Sequence, residues 1–127
     1  MGGDDKAIIL FLEDDGDSRF YLKRLLRRGG YQVIAADDEE DALELMAFFK
    51  FKPELILAQL EMKPEEIMAA GRRLKERAGL DGAIPVVVIA EKGGDDLEGE
   101  NWKSDGKDYI YFWDEDSQLT HLLKKIL

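Results

Sequence analysis

Apolar residues along this chain alternate between short unbroken runs and longer interrupted stretches. Residues 7–12 (AIILFL) and 85–90 (PVVVIA) are unbroken runs flanked by polar or turn-forming residues, and 55–58 (LILA) follows Pro53. Runs of this length suit strands covered on both faces, as in a parallel sheet. Residues 31–35 and 109–112 are weaker strand candidates. In the second of these, Tyr109 and Tyr111 should project to one side, and Ile110 and Phe112 to the other.

Between the runs the apolar spacing becomes helical. Leu22, Leu25 and Leu26 form one stripe, stopped by Gly29 and Gly30. Ala42, Leu45, Met46 and Phe49 form a second after the capping pair Asp37 and Asp38. Ile67, Gly71 and Leu74 follow Pro64, a residue suited to a first helical turn. Leu119, Leu122, Leu123 and Ile126 close the chain after Ser117. Residues 91–107 break the rhythm, because Gly93, Gly94 and Gly99 each disfavour a helix interior by about 1 kcal/mol relative to alanine. A short loose helix or a loop is expected there. Strand and helix thus alternate five times, which predicts an α/β fold. Its sheet is a doubly wound, five-stranded parallel one of order 2-1-3-4-5, with helices on both faces. Its functional site belongs at the carboxyl ends of the strands. Residues 1–5 are expected to be a disordered or cloning-derived terminus, and 6–127 a single domain.

Composition narrows the function. The 127 residues are 45% hydrophobic and 36% charged, a globular balance. The absence of cysteine excludes disulfides and thiolate metal sites and suits a cytoplasmic setting. No apolar run approaches the ~20 residues that cross a bilayer. A formal charge of −10 disfavours nucleic acid and anionic membrane as direct partners. The basic cluster Lys23, Arg24, Arg27 and Arg28 is expected to be a solvated helix face. The single histidine, His121, lies off its helical stripe and is expected at the surface; with one histidine and no cysteine, no histidine-based catalytic pair or structural zinc site is expected within one chain.

Candidate chemistry begins after the first predicted strand, with Glu13, Asp14 and Asp15. Three carboxylates repel phosphate unless a cation intervenes, and hard cations take such oxygen ligands. The same acids could simply cap the following helix and complement its dipole. Four aromatics, Tyr109, Tyr111, Phe112 and Trp113, crowd the last predicted strand, with Trp102 shortly before them. Aromatics often anchor interfaces, although packing beneath helices explains Phe112 as well.

Taken in order, "AIILFLEDDGDSRFYLKRLLRRGGYQV", "DEEDALELMAFFKFKPELILAQLEM", "IPVVVIAE" and "KDYIYFW" resemble a bacterial response-regulator receiver domain of the two-component type. The resemblance covers essentially residues 6–127. It implies that Glu13 and Asp14 are the acidic pair that holds Mg²⁺ in that family. It places Gln59 where a third-strand aspartate accepts a phosphoryl group from a histidine kinase. Ala90 falls where a threonine or serine binds that group, and Phe112, followed by Trp113, where a lysine and proline stand. Tyr109 matches the aromatic switch position. Glu61 falls where the family offers a backbone carbonyl to the metal, and is expected to be a solvated loop residue.

These departures change the chemistry expected. An aspartate carboxylate can attack phosphorus, whereas an amide has its nitrogen lone pair delocalised into the carbonyl. Without the lysine and the hydroxyl, a phosphoryl group beside Glu13 and Asp14 lacks its charge-assisted contacts. The expectation is therefore a non-enzymatic, phosphorylation-independent receiver-like module that acts through a protein partner or a homodimer. Its interface would be the face of the fourth helix, fifth strand and fifth helix, with Trp102, Tyr111 and Trp113 as candidates. No cofactor is required, and Mg²⁺ at Glu13 and Asp14 would be weak. The alternative is an atypical receiver that still responds to a divalent metal or small ligand at that pair.

Overall fold

A computed structural model describes residues 6–91, 102–113 and 116–127 of the chain, without the side chains of Glu91, Lys103, Trp113, Asp116 and Ser117. The expected terminus 1–5 lies outside the described residues. The elements run β1 (Ile8–Glu13), α1 (Gly16–Arg28), β2 (Gln32–Ala36), α2 (Glu39–Phe49) and β3 (Leu55–Gln59). They continue as α3 (Pro64–Arg77), β4 (Val86–Glu91), β5 (Trp102–Asp105), β6 (Asp108–Trp113) and α4 (Asp116–Ile126).

The strands make one sheet of order β2-β1-β3-β4-β6-β5. The β1–β2, β1–β3, β3–β4 and β4–β6 pairs are parallel, as the unbroken apolar runs require. Side-chain alternation divides each strand between two cores. Ile9, Phe11, Leu55, Leu57, Val87, Ile89 and Tyr111 face α1 and α4, where Leu22, Leu26, Leu119, Leu122 and Leu123 meet them. Leu10, Leu12, Ile56, Ala58, Val86 and Val88 face α2 and α3, against Ala42, Met46, Ile67, Met68 and Leu74. Helices therefore cover both faces, as expected. Gly71 permits the tightest approach in this second layer, since a Cβ there would stand 2.6 Å from Val86 Cγ1.

The edge of the sheet differs from the expectation of five parallel strands. A sixth strand, β5, pairs antiparallel with β6, with Trp102 opposite Tyr111 and Asp105 opposite Asp108. The strand expected to end the sheet is therefore an internal one. Gly106 makes this possible: its φ of +66° opens a two-residue hairpin loop, the glycine-first pattern of a type II′ turn. Residues 92–101 of the expected loose helix or loop lie outside the described residues, and 102–105 form strand instead. A second difference concerns α2, where Phe49 is 60% exposed rather than part of the buried stripe, and Leu43 packs inward in its place.

One buried carboxylate ties this edge to the rest. Asp108, only 2% exposed, accepts from the Val86 backbone N–H at 2.8 Å and from Arg72 Nε at 2.9 Å. Arg72 also reaches Asp105 at 2.9 Å, so one α3 side chain holds both strands of the hairpin. Asp108 thereby fixes the start of β4, the middle of α3 and the start of β6 at one point.

Candidate functional site

The acidic run after β1 divides between two roles. Asp15 is the N-cap of α1 and accepts from the Ser18 backbone N–H at 2.8 Å. This contact and a second one from the Ser18 side chain hold its carboxyl below the usual range. Glu13 instead ends the strand and is 2% exposed. Its Oε2 accepts from the Asp15 N–H at 3.1 Å, while Oε1 is buried with no hydrogen-bond partner. Burial is the main reason its pKa rises to about 7, and Asp14 and Asp15 push it the same way. Asp14 is exposed and accepts from the Glu61 backbone N–H at 3.2 Å, linking the loops after β1 and β3. The Glu61 residue itself is exposed, as expected.

Gln59 is the direct neighbour of Glu13 across the β1–β3 ladder. Both occupy positions on the α1 side of the sheet, and Gln59 lines a cleft with Ser18, Tyr21 and Leu22 of α1. The Gln59 Oε1 atom is also buried and unpartnered. Two orphaned oxygens on adjacent strand ends are costly to leave dry, by about 1–3 kcal/mol each. A proton on the Glu13 carboxyl, favoured by its raised pKa, lowers that cost.

Ala90 and Phe112 are cross-strand neighbours one residue before the ends of β4 and β6, 8% and 4% exposed. Gln59, Ala90 and Phe112 thus bring an amide, a methyl and a phenyl ring to the carboxyl-terminal part of β3, β4 and β6. Tyr109 is half-buried against the α1/α4 core. Lys107 lies in the hairpin turn, at the opposite end of β6 from Phe112.

Of the expected interface residues, Tyr111 is a correction. It is fully buried in the α1/α4 core, because the odd positions of β6 point beneath α4 and β5 covers the strand's outer edge. Trp102 is half-buried, its ring centroid 6.3 Å from that of His121 and 5.7 Å from Lys125 Nζ, so α4 shields part of it. Trp113 ends β6, and its side chain lies outside those described. His121 is exposed, as expected.

Arg19 was not among the expected site residues. It donates to the Glu13 carbonyl at 2.8 Å and pairs with Asp37, joining the loops after β1 and β2 beside the acidic pair. Its place one turn past the α1 N-cap was the available signal.

As donors for a cation, Glu13, Asp14 and Gln59 offer only oxygen, which suits a hard ion. No group of three or more histidine, cysteine, aspartate or glutamate side chains placed to hold a metal ion occurs among the described residues.

No family model matches the chain. It is 31% identical over 106 residues to the transcriptional regulatory protein ZraR of Escherichia coli, covering 84% of this chain but 23% of that protein. Among solved structures, the receiver domain of the hybrid histidine kinase CckA is 27% identical at a TM-score of 0.63, covering 95% of this chain and 99% of that one. The chain is a receiver domain of the two-component type. CheY4 of Vibrio cholerae superposes on this receiver domain at a TM-score of 0.68 with 17% identity, covering 96% and 99% of the two chains. The matched part spans about a quarter of the ZraR length.

Proposed function

We propose that this receiver domain signals without phosphotransfer, as a non-enzymatic module that binds a protein partner or a second copy of itself. The observation that carries this reading is Gln59, an amide beside Glu13 at the position where receivers keep their acceptor aspartate. An amide there does not attack phosphorus. Ala90 and Phe112 support the same reading, since they offer neither a hydroxyl nor a cation to a phosphoryl group. The interaction face is the edge formed by β5, β6 and α4, with Trp102 beside His121 and Lys125. The net charge of −10 argues against nucleic acid or anionic membrane as the direct partner. Among the described residues, no helix is long and apolar enough to cross a membrane.

Incubation with acetyl phosphate and Mg²⁺, read by intact mass beside a conventional receiver, tests the proposal. The expected result is no mass gain here and clear labelling of the control. A phosphoryl adduct on this chain would overturn it.

A second reading, a receiver that responds to a divalent cation or small ligand, is favoured by the two unpartnered buried oxygens. Glu13, Asp14 and the Gln59 carbonyl would hold the ion, which would neutralise the acidic pair. No cofactor is required in the preferred reading. Titration with Mg²⁺ and Ca²⁺, followed by backbone amide shifts of Glu13, Asp14 and Gln59, separates the two. Saturable shifts confined to these residues favour the second.

A further inference from the structure

Helix α2 carries an outward face that packing within the domain does not use. Phe48 and Phe49 are 78% and 60% exposed, with their rings in edge-to-face contact at 4.9 Å. Beside them runs a groove of about 430 Å³ lined in part by Leu43, Met46, Ala47, Phe51 and Leu80. Lys50 and Lys52 stand exposed at its rim. One turn earlier, Glu44 is exposed on the same stripe as Phe48, whereas Glu40, two turns earlier, is paired with Arg77 of α3 at 2.7 Å. The face therefore presents the acidic Glu44 before the aromatic pair and the basic Lys50 and Lys52 after it.

Such a face complements itself when two copies meet antiparallel, since a two-fold interface matches each patch with the other copy's. An axis between Ala47 and Phe48 sets each Phe48 against the small Ala47 of its mate. It sets each Glu44 against the other copy's Lys50 and Lys52. We propose that this chain forms a two-fold dimer through α2, with Phe48 seated in the groove beside the other copy's Ala47. Asp38 caps α2 next to the loop that holds Arg19, and the helix then runs about 16 Å away from it. The dimer contact thus lies at the opposite end of the domain from Glu13 and Gln59 and leaves that site open. It is a different surface from the β5–β6–α4 face and does not depend on it.

Sedimentation of the whole chain from micromolar to millimolar concentration tests the pairing. The expected result is a monomer–dimer equilibrium that Phe48→Ser with Phe49→Ser weakens at least about tenfold, without change in the urea midpoint. Glu44→Lys alone and Lys50→Glu with Lys52→Glu alone should each weaken self-association, and an equimolar mixture of the two should restore a dimer. A monomer throughout the range overturns the proposal, and so does a serine variant that dimerises like the parent or a mixture that stays monomeric. A monomer that co-sediments with phosphatidylserine vesicles through Phe48 and Phe49 overturns it in favour of a lipid surface. None of these readouts involves phosphotransfer, so failure here leaves the acetyl phosphate result unaffected.

Discussion

Replacing Asp108 should expose how much the hairpin edge owes to one buried carboxylate. In Asp108→Ala the Val86 N–H, bonded at 2.8 Å in the buried interior, loses its acceptor. An orphaned buried donor costs about 1–3 kcal/mol. The contact with Arg72 is lost as well, but Arg72 is 45% exposed and keeps Asp105, so solvent screening limits this part to about 1 kcal/mol. The expected loss is therefore about 2–4 kcal/mol. Asp108→Asn keeps a carbonyl oxygen for Val86 but turns an NH2 toward Arg72 Nε, losing both the charge and the acceptor of that half-exposed contact, so it should cost about 1 kcal/mol. Urea unfolding followed by tryptophan fluorescence and far-UV circular dichroism gives both values. A double-mutant cycle with Arg72→Met isolates the ion pair from the Val86 contact. Equal losses in the Asn and Ala variants, or an Ala variant within about 0.5 kcal/mol of the parent, would refute the reasoning.

Other substitutions test other parts of the fold. Gly71→Ala gains about 1 kcal/mol of helix propensity but places a methyl 2.6 Å from Val86 Cγ1, and overpacking of this kind costs about 1–3 kcal/mol. A net loss of about 1 kcal/mol is expected, and a stabilised variant in urea unfolding would mean α3 can lift from β4. Glu13 has a folded pKa of about 7 against 4.5 when free, so its carboxyl keeps its proton in the fold after the unfolded chain has lost it. Its contribution is fully present below the unfolded pKa and fades as pH rises toward 7, by at most about 3 kcal/mol. Glu13→Gln should remove that slope, so its stability relative to the parent should be greater at about pH 8 than at about pH 5, with EDTA present. A difference that stays constant across that range contradicts the assignment. Gly106→Val forces a β-branched residue into φ +66° and should cost more than about 1 kcal/mol, with amide exchange in β5 accelerating first. Unchanged exchange there would show that the turn does not hold the hairpin.

Much of this fold was legible because buried parallel strands are nearly pure apolar runs, and β1, β3 and β4 are such runs. The split of β6, with Tyr109 and Tyr111 on one side and Ile110 on the other, followed from alternation alone. What escaped was the partner strand. Trp102, Lys103, Ser104 and Asp105 have no apolar alternation and little strand preference, and their pairing comes from a neighbour and a turn. Gly106 between two polar residues was the available sign, and the glycines further upstream drew attention to a loop instead. Phe49 was misplaced because helical spacing gives a stripe without saying how wide the covering surface is. At the site, composition identified the acidic cluster but could not assign its members. Asp15 became a cap and Glu13 a buried group because the strand ends one residue before the chain turns. Arg19 with Asp37, and Arg72 with Asp108, are contacts between distant stretches of sequence, and local pattern carries no trace of them.

Strand β6 reads Asp-Tyr-Ile-Tyr-Phe-Trp, five consecutive residues of high strand preference without a charge. Left at the border of the sheet, such a segment offers unpaired backbone groups to any similar strand and invites fibril growth. In this domain β5 takes the border instead. It is four residues long, carries a lysine and an aspartate, and has that aspartate held by Arg72. The hairpin thus works as a guard against aggregation, and loosening it should show first as loss of solubility rather than loss of binding.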